Sequence, residues 1–370
     1  MTGRIRGCWC VGSSPAPLAT SHRQSPNHSH QPSHWSSARR ASSSSYAGRM
    51  PESLPVGCTL PTNGAAADPA AIGALAQTAE DLGFDSVWIS DHVVIPEHIS
   101  SAYPYSPDGR FPTLPTQAYL EPLATLGYLA GITRRVRLGI AVLILPYRHP
   151  LLTAKMIATL DNLSGGRVDL GIGVGWMREE FEALGLAPEV YEHRGSVSDE
   201  QLHILKTVWT EDVAGFEGRF YQFEPVGAHP HPIQKPHPPI WVGGHSRPAL
   251  RRTAQFGDGW LPIGGRPPAD LPPEEVAGCI ASIRSEAERA GRNPSALRMC
   301  FDTTVDLEAN DGRPFSGSVD AIIEQLRRYV EVGADSFLVS FGRHPPATYE
   351  LYLQRFAEQV RPALNPRVSA

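Results

Sequence analysis

Residues 136–174 read VRLGIAVLILPYRHPLLTAKMIATLDNLSGGRVDLGIGV and contain one complete strand–helix–strand unit. The runs 136–143 and 167–174 are short, apolar and rich in β-branched residues, as buried strands are. Between them, 150–163 has the length of a helix and begins with a proline, which is favoured in the first helical turn. Two strands joined by a helix form a βαβ unit, in which the strands are parallel.

The same alternation continues along the chain after residue 50. The predicted strands cover 56–60, 85–90, 136–143, 167–174, 240–242, 259–263, 298–305 and 336–340. The predicted helices cover 68–83, 120–132, 150–163, 178–184, 193–209, 247–256, 273–290, 318–332 and 348–364, and a short extra hairpin is predicted at 218–223. Eight strand–helix units in one domain, residues 51–370, predict a closed (β/α)8 TIM barrel with insertions. The alternative is an open doubly wound sheet, which usually has fewer strands.

The first fifty residues have a different composition. They contain no Asp, Glu or Lys, and Ser, His, Pro and Arg dominate. Such a segment buries too little apolar surface to offset its ordering entropy, so 1–50 is predicted to be a disordered tail. Three interpretations stay open: an organellar transit segment, a natural tail, or sequence upstream of a true start at Met50. The last two are favoured, because 1–50 lacks amphipathic helical spacing.

Charge and cysteine content exclude several classes of protein. The net charge is −5, which gives no basic surplus for nucleic acid. The longest apolar run, 140–146, is the size of a strand and far too short to span a membrane. The five cysteines are scattered without a CxxC pair, so neither a disulfide framework nor a structural zinc site is expected. Reduced thiols and a cytoplasmic location are the simplest expectation.

The loops that follow the strands hold the candidate functional residues, because active sites of this fold lie there. Asp91 and His92 follow the second strand. A histidine at that place can exchange a proton near neutral pH, and the adjacent carboxylate can orient or tune a neighbouring group. The alternative is a hydrogen-bonded pair that closes the turn. His92 and Asp91 are the catalytic candidates.

Two glycine-rich turns are the candidate ligand contacts. The turn 171–176 has the spacing GxGxG, which differs from the dinucleotide-binding GxGxxG, so Gly173, Gly175 and Trp176 are expected beside a ligand ring or a neighbouring strand. The segment Gly243-Gly244-His245-Ser246 leads into a helix, where free backbone N–H groups favour a phosphate. An ordinary capped helix start would also explain this second turn.

No metal ion is predicted. His229, His231 and His237 lie in a proline-rich segment, but their spacing matches no zinc motif. An exposed, extended loop is the expected structure there.

Taken together, five segments resemble the luciferase-like flavin- and deazaflavin-dependent oxidoreductases, in particular the branch that uses coenzyme F420. They are 79–92, 137–143, 171–176, 239–244 and 257–260, and the resemblance extends from about residue 56 to 362. Each segment alone is weakly specific, whereas their order and spacing together are fairly specific.

The resemblance implies a cofactor ring at the barrel mouth. It implies a non-proline cis peptide under the ring at Ala141-Val142, His92 beside the reactive edge of the ring, and a cofactor phosphate at Gly243, Gly244 and Ser246. One departure is the absence of a carboxylate two positions after the GxG turn, where Trp176 stands and acids follow only at Glu179 and Glu180. This departure argues against sugar-phosphate dehydrogenase chemistry.

The expected activity is hydride transfer between coenzyme F420 and a small organic molecule. The loop 95–115, with Tyr103 and Tyr105, is expected to cover the pocket and to favour an apolar or aromatic substrate. No clear Lys and Arg cluster marks a phosphorylated substrate. The alternatives are an FMN-dependent monooxygenase on the same barrel and a barrel that only binds cofactor. No nucleic acid or membrane partner is expected, and the oligomer is expected to be a homodimer.

Overall fold

Eight parallel strands close into a barrel in the computed structural model, which describes residues 53–64, 67–309 and 311–364. The strands in chain order are β1 Val56–Thr59, β2 Ser86–Ile89, β3 Arg137–Ile144, β4 Val168–Gly173, β5 Ala214–Glu217, β6 Gln222–Val226, β7 Ile240–Gly243, β8 Gly259–Leu261, β9 Arg298–Thr304 and β10 Ser336–Ser340. All except β5 and β6 form the barrel, in the order β1-β10-β9-β8-β7-β4-β3-β2. The predicted TIM barrel is confirmed and the open sheet is wrong. The predicted tail, 1–50, lies outside the described residues.

Helices follow the barrel strands. They are α1 Pro69–Asp81, α2 Pro122–Ile132, α3 Pro150–Ser164, α4 Arg178–Ala183, α5 Pro188–Glu192, α6 Arg194–Thr210, α7 Arg247–Phe256, α8 Pro273–Arg289, α9 Val319–Glu331, α10 Pro346–Arg355 and α11 Arg361–Leu364. Local signals explain many of their ends, as at Asp68, whose side chain caps α1, and at Gly165, which ends α3 with φ 72°.

The sequence prediction missed two features of these helices. The short helix α5 was not predicted, and the closing helix predicted at 348–364 is interrupted by a π-helical turn at Phe356–Val360. The predicted extra hairpin exists as β5 and β6, which pair in antiparallel fashion. The span 218–223 covers the turn and only part of β6. No helix among the described residues is long and apolar enough to cross a membrane.

Two tryptophans fill the barrel interior. Trp88 of β2 and Trp241 of β7 meet edge to face at 6.4 Å between ring centroids. Each ring lies over a glycine of the next strand: a Cβ at Gly139 would lie 2.1 Å from the ring of Trp88, and one at Gly259 would lie 2.2 Å from that of Trp241. Since real Cβ atoms do not approach so closely, these strands need glycine where they face an interior tryptophan. Leu261, Cys300 and Leu338 complete this layer, which forms the floor of the mouth.

Candidate active site

His92 lies just beyond β2, at the carboxyl end of the barrel. Its Nδ1 lies 2.5 Å from Oε2 of Glu180 in α4, and both side chains are buried. The described residues offer no hydrogen-bond partner to its Nε2. The ring is therefore held from one side, and Nε2 remains the nitrogen that can meet a ligand.

The Glu180 carboxylate accepts hydrogen bonds from four donors. Besides His92, it accepts hydrogen bonds from the backbone N–H groups of Val93 at 2.7 Å and Val94 at 3.2 Å, and from the Tyr147 hydroxyl at 2.9 Å. Because an ionised carboxylate only accepts, this network assigns a donated proton to Nδ1 of His92. A carboxylate in this position fixes the tautomer and stabilises the imidazolium form of the ring.

Asp91 has a different environment from the one expected. Its two oxygens accept hydrogen bonds from Arg148 at 2.7 and 2.9 Å, and one of them also accepts the backbone N–H of Ile144 at 2.9 Å. The group that Asp91 contacts and can orient is therefore Arg148, and the alternative of a hydrogen-bonded Asp91–His92 pair closing the turn is wrong. Asp91 acts on His92 only through space, whereas Glu180 makes the direct contact.

The long segment between β2 and α2, together with Trp176 of the turn after β4, forms an aromatic wall over His92. The ring of Phe111 lies 4.7 Å from that of His92, Tyr119 lies 5.2 Å away and Trp176 lies 6.3 Å away, all between centroids. Tyr103 joins this wall through Trp176, at 5.1 Å. The wall surrounds His92 with ring faces and edges and leaves few polar partners near Nε2.

The same segment is fastened to the loop that follows β10, which lies on the other side of β1 from β2 in the barrel. Arg343, which follows β10, donates to the backbone oxygen of Pro112 at 2.7 Å and to the Thr113 hydroxyl at 2.9 Å. The segment predicted as a lid, 95–115, thus covers the rim of the barrel between the ends of β2 and β10.

The predicted cis peptide is present between Ala141 and Val142. Val142 lies beside two of the predicted glycines: a Cβ at Gly173 would lie 2.5 Å from its Cγ2, and one at Gly243 would lie 3.0 Å from its Cγ1. Side chains at 173 and 243 would therefore fill the space around Val142. The structure brings these three predicted residues together, with Ala141 beside them, at the carboxyl ends of β3, β4 and β7.

Gly175 and Gly244 both have positive φ, 82° and 86°. A Cβ at Gly175 would also lie 2.8 Å from the Phe181 ring, so this turn needs glycine for its conformation and for its packing. At Gly171, a Cβ would lie 2.1 Å from the backbone oxygen of Ile140. The first glycine of GxGxG thus serves close strand approach, one of the two roles that the sequence left open.

The start of α7 has the groups that a phosphate needs. Ser246 is the N-cap residue, yet its side chain makes no capping hydrogen bond, and His245 and Ser246 are both exposed. The first intrahelical bond of the segment is donated by Leu250 to Ser246, so the N–H groups of Arg247 and Ala249 have no helical acceptor. A free hydroxyl, free N–H groups and the positive end of the helix dipole fit an anion such as a cofactor phosphate.

The histidine-rich segment differs partly from its prediction. Asp212, His229 and His231 bring their possible ligand atoms within 4.8 Å of one another, between the end of α6 and the start of β7. The His229 side chain is 56% exposed, as expected for a loop. His237 is buried, however, and its Nδ1 donates a hydrogen bond to the backbone oxygen of Pro238, so its predicted exposure is wrong.

Residues 53–313 match the family model described as luciferase-like monooxygenase. The chain belongs to this family. An uncharacterized protein of Mycobacterium tuberculosis is 36% identical over 218 residues, which is 59% of this chain and 72% of that protein. An F420-dependent glucose-6-phosphate dehydrogenase of Nakamurella multipartita is 30% identical over 252 residues, 66% of this chain and 68% of that protein.

Relatives that use a different cofactor are similar to the chain as well. An FMNH2-dependent dimethylsulfone monooxygenase of Pseudomonas putida is 32% identical over 177 residues, 48% of this chain and 46% of that protein. Among solved structures, an F420-dependent secondary alcohol dehydrogenase in complex with an F420-acetone adduct superimposes with a TM-score of 0.67 at 18% identity, over 85% of this chain and all of that one. The luciferase-like resemblance and its barrel are confirmed, and the relatives divide between deazaflavin and flavin.

Sequence reasoning missed the most important neighbour of His92. Glu180 was noted only as an acid displaced from the expected position, 88 residues from His92 in the chain. One signal was present: Glu180 lies in the first turn of a short helix after a barrel strand, where loop positions of this fold converge.

Proposed function

We propose that this luciferase-like enzyme transfers a hydride between coenzyme F420 and an organic substrate, with His92 as the proton carrier. The observation that carries the proposal is the His92–Glu180 pair, in which Nδ1 is held at 2.5 Å while Nε2 has no partner among the described residues. The F420-dependent relatives support the choice of cofactor. The oxidoreductase class follows from the family, whereas the cofactor and the substrate are part of the proposal.

Different residues of this chain would bind the cofactor, transfer the proton and exclude water. Val142, between Gly173 and Gly243, would support the ring, and the α7 N-terminus would hold the phosphate. When bound, the coenzyme supplies or accepts the hydride. In the direction of reduction, protonated His92 would donate a proton from Nε2 to the substrate, with Glu180 stabilising the imidazolium. The aromatic lid would exclude water from this transfer.

Ser246 gives a direct test of the phosphate site. We expect Ser246→Ala to weaken F420 binding about tenfold, since a hydrogen bond to a charged group contributes roughly 1.5 kcal/mol. The melting temperature should not change, because the hydroxyl does not cap α7. Equilibrium titration and thermal unfolding measure the two effects.

Ser318→Ala is the matched control for this test. Its side chain does cap a helix, accepting from Ala321 at the start of α9. This variant should lose stability and keep its F420 affinity. If Ser246→Ala binds F420 with unchanged affinity, the cofactor phosphate does not bind at the α7 N-terminus.

The cofactor is tested by titrating F420 and FMN separately while following tryptophan fluorescence, for which Trp176 in the aromatic wall is a reporter. The proposal expects saturable quenching by F420 at lower concentration than by FMN. Tight FMN binding without a response to F420 would reject it and favour the monooxygenase class of the Pseudomonas putida relative. Oxygen uptake with reduced FMN would then be the expected activity.

A further inference from the structure

Asp302 is a buried carboxylate at the mouth that the proposed hydride transfer does not use. It lies on β9, two residues after Cys300, whose side chain belongs to the interior layer of the barrel. Because side chains two apart on a strand share a face, Asp302 faces the lumen, where it is in register with Leu338 of β10. It is 4% exposed, and burial raises the pKa of its carboxyl to about 6, against the lowering effect of Arg266.

Arg266 faces Asp302 from the turn after β8. Its Nη2 lies 3.5 Å from Oδ1 of Asp302, and its Nε is buried without a hydrogen-bond partner. Guanidinium groups bind carboxylates best through two parallel N–H groups. In the free enzyme the Nε–H of Arg266 therefore has no acceptor, and a buried donor without an acceptor destabilises the folded protein.

In two other arginine–aspartate pairs of the barrel, the guanidinium makes two hydrogen bonds to the carboxylate. Arg137 reaches Asp169 at 2.7 and 2.8 Å, and Arg148 reaches Asp91 at 2.7 and 2.9 Å. Both are two-point contacts at full hydrogen-bond strength. The single 3.5 Å contact between Arg266 and Asp302 is different, and a purely structural ion pair does not account for it.

The pair lies beneath the lid. Tyr103 and Tyr105 are half-buried, and desolvation of their hydroxyls raises the pKa of both, that of Tyr105 to about 12. Arg266 and Asp302 act electrostatically on both. Tyr103 also contacts Trp176, which in turn contacts His92. The lid tyrosines thus connect the Arg266–Asp302 pair with the proton carrier across one mouth.

We propose that Arg266 is a substrate-specificity residue that binds a carboxylate group of the substrate through Nε and Nη2, while Asp302 holds the guanidinium in place in the free enzyme. This inference rests on the proposed function, since it assigns a substrate class to the same mouth. It amends the sequence-based expectation of a purely apolar or aromatic substrate. The aromatic wall would contact the body of such a substrate, and Arg266 would bind its acidic end.

The test compares benzoate with its neutral analogue benzamide, by calorimetry on the full chain at constant ionic strength. The wild type should bind benzoate roughly tenfold more tightly than benzamide, as a charge-assisted bidentate contact requires. Arg266→Gln should abolish this preference. Asp302→Asn should increase benzoate affinity, because it removes a competing negative charge, and a structural pair would not give this gain.

Two further variants serve as controls. Arg266→Gln leaves Asp302 buried without a partner, so the double variant Arg266→Gln/Asp302→Asn, which keeps the site neutral, must also lose the preference. Arg284→Gln removes an exposed arginine of α8 and should behave as the wild type. Equal binding of benzoate and benzamide by the wild type, or a preference that survives in the double variant, would overturn the proposal.

Failure of this inference can be distinguished from failure of the proposed function. F420 titration of Arg266→Gln should match the wild type, because Arg266 is assigned to the substrate. A loss of F420 affinity in this variant would place Arg266 at the cofactor and overturn the inference alone. Absence of F420 binding by the wild type would reject the proposed function, whatever the benzoate result.

Discussion

We expect His92→Ala to lower the rate of F420-coupled turnover by about two orders of magnitude, the smaller end of what a positioned general acid contributes. The variant loses Nε2, the nitrogen without a partner in the aromatic wall, while Glu180 keeps its bonds from Val93, Val94 and Tyr147. Binding of F420 should change little, because His92 is assigned to proton transfer. The measurement is the steady-state oxidation of reduced F420 with any substrate that the wild type reduces.

His98→Ala is the matched control. His98 lies on the same loop but is exposed, so its loss should leave turnover unchanged. Glu180→Gln should fall between the two, and the pH profile of turnover should change with it, since Glu180 acts by orienting His92. If His92→Ala keeps more than about half of the wild-type rate, another group carries the proton.

We expect Asp91→Asn to lower the free energy of unfolding by about 3 kcal/mol, the scale for removing one charge of a buried ion pair. Arg148, whose side chain is 11% exposed, would keep a negatively charged partner only in Glu121, at 3.0 Å, whose side chain is 39% exposed. The Ile144 N–H would also lose its charged acceptor. Urea denaturation followed by fluorescence measures the change.

Asp81→Asn serves as the comparison, because Asp81 pairs with Arg135 at the surface, where both side chains are mostly exposed. Its stability should stay close to that of the wild type, as is usual for surface pairs. The folded Asp91→Asn protein should keep most of its turnover. If it instead retains full stability and loses as much activity as His92→Ala, Asp91 belongs to the catalytic machinery.

The barrel could be predicted from the sequence because its determinants are local. Each strand is a short β-branched run, each helix has its own start and stop signals, and the strand–helix alternation admits few topologies. The two interruptions that were missed, α5 and the π-helical turn at Phe356–Val360, are short and have no distinct hydrophobic period.

The contacts within the site could be predicted only in part. The cis peptide at Ala141-Val142 came from the family resemblance, and the unused hydroxyl of Ser246 fits the predicted phosphate turn. Asp91 and His92 were joined because they are adjacent, yet consecutive side chains in an extended segment point in opposite directions. One therefore reaches Arg148 and the other Glu180.

Long-range partners are the part that the sequence could not reveal. Arg266 and Asp302 are 36 residues apart, and their meeting depends on the closure of β8 against β9. Such a pair becomes visible only when the register of the barrel is known, because a shift of one residue would turn Asp302 away from the lumen.

A crystal structure with F420 bound is the most direct test of the proposed site. We expect the ring against Ala141-Val142, the phosphate at the start of α7, and Nε2 of His92 within hydrogen-bond reach, about 3 Å, of the bound reactants. A ring bound elsewhere, or His92 separated from the bound ring by the lid, would contradict it.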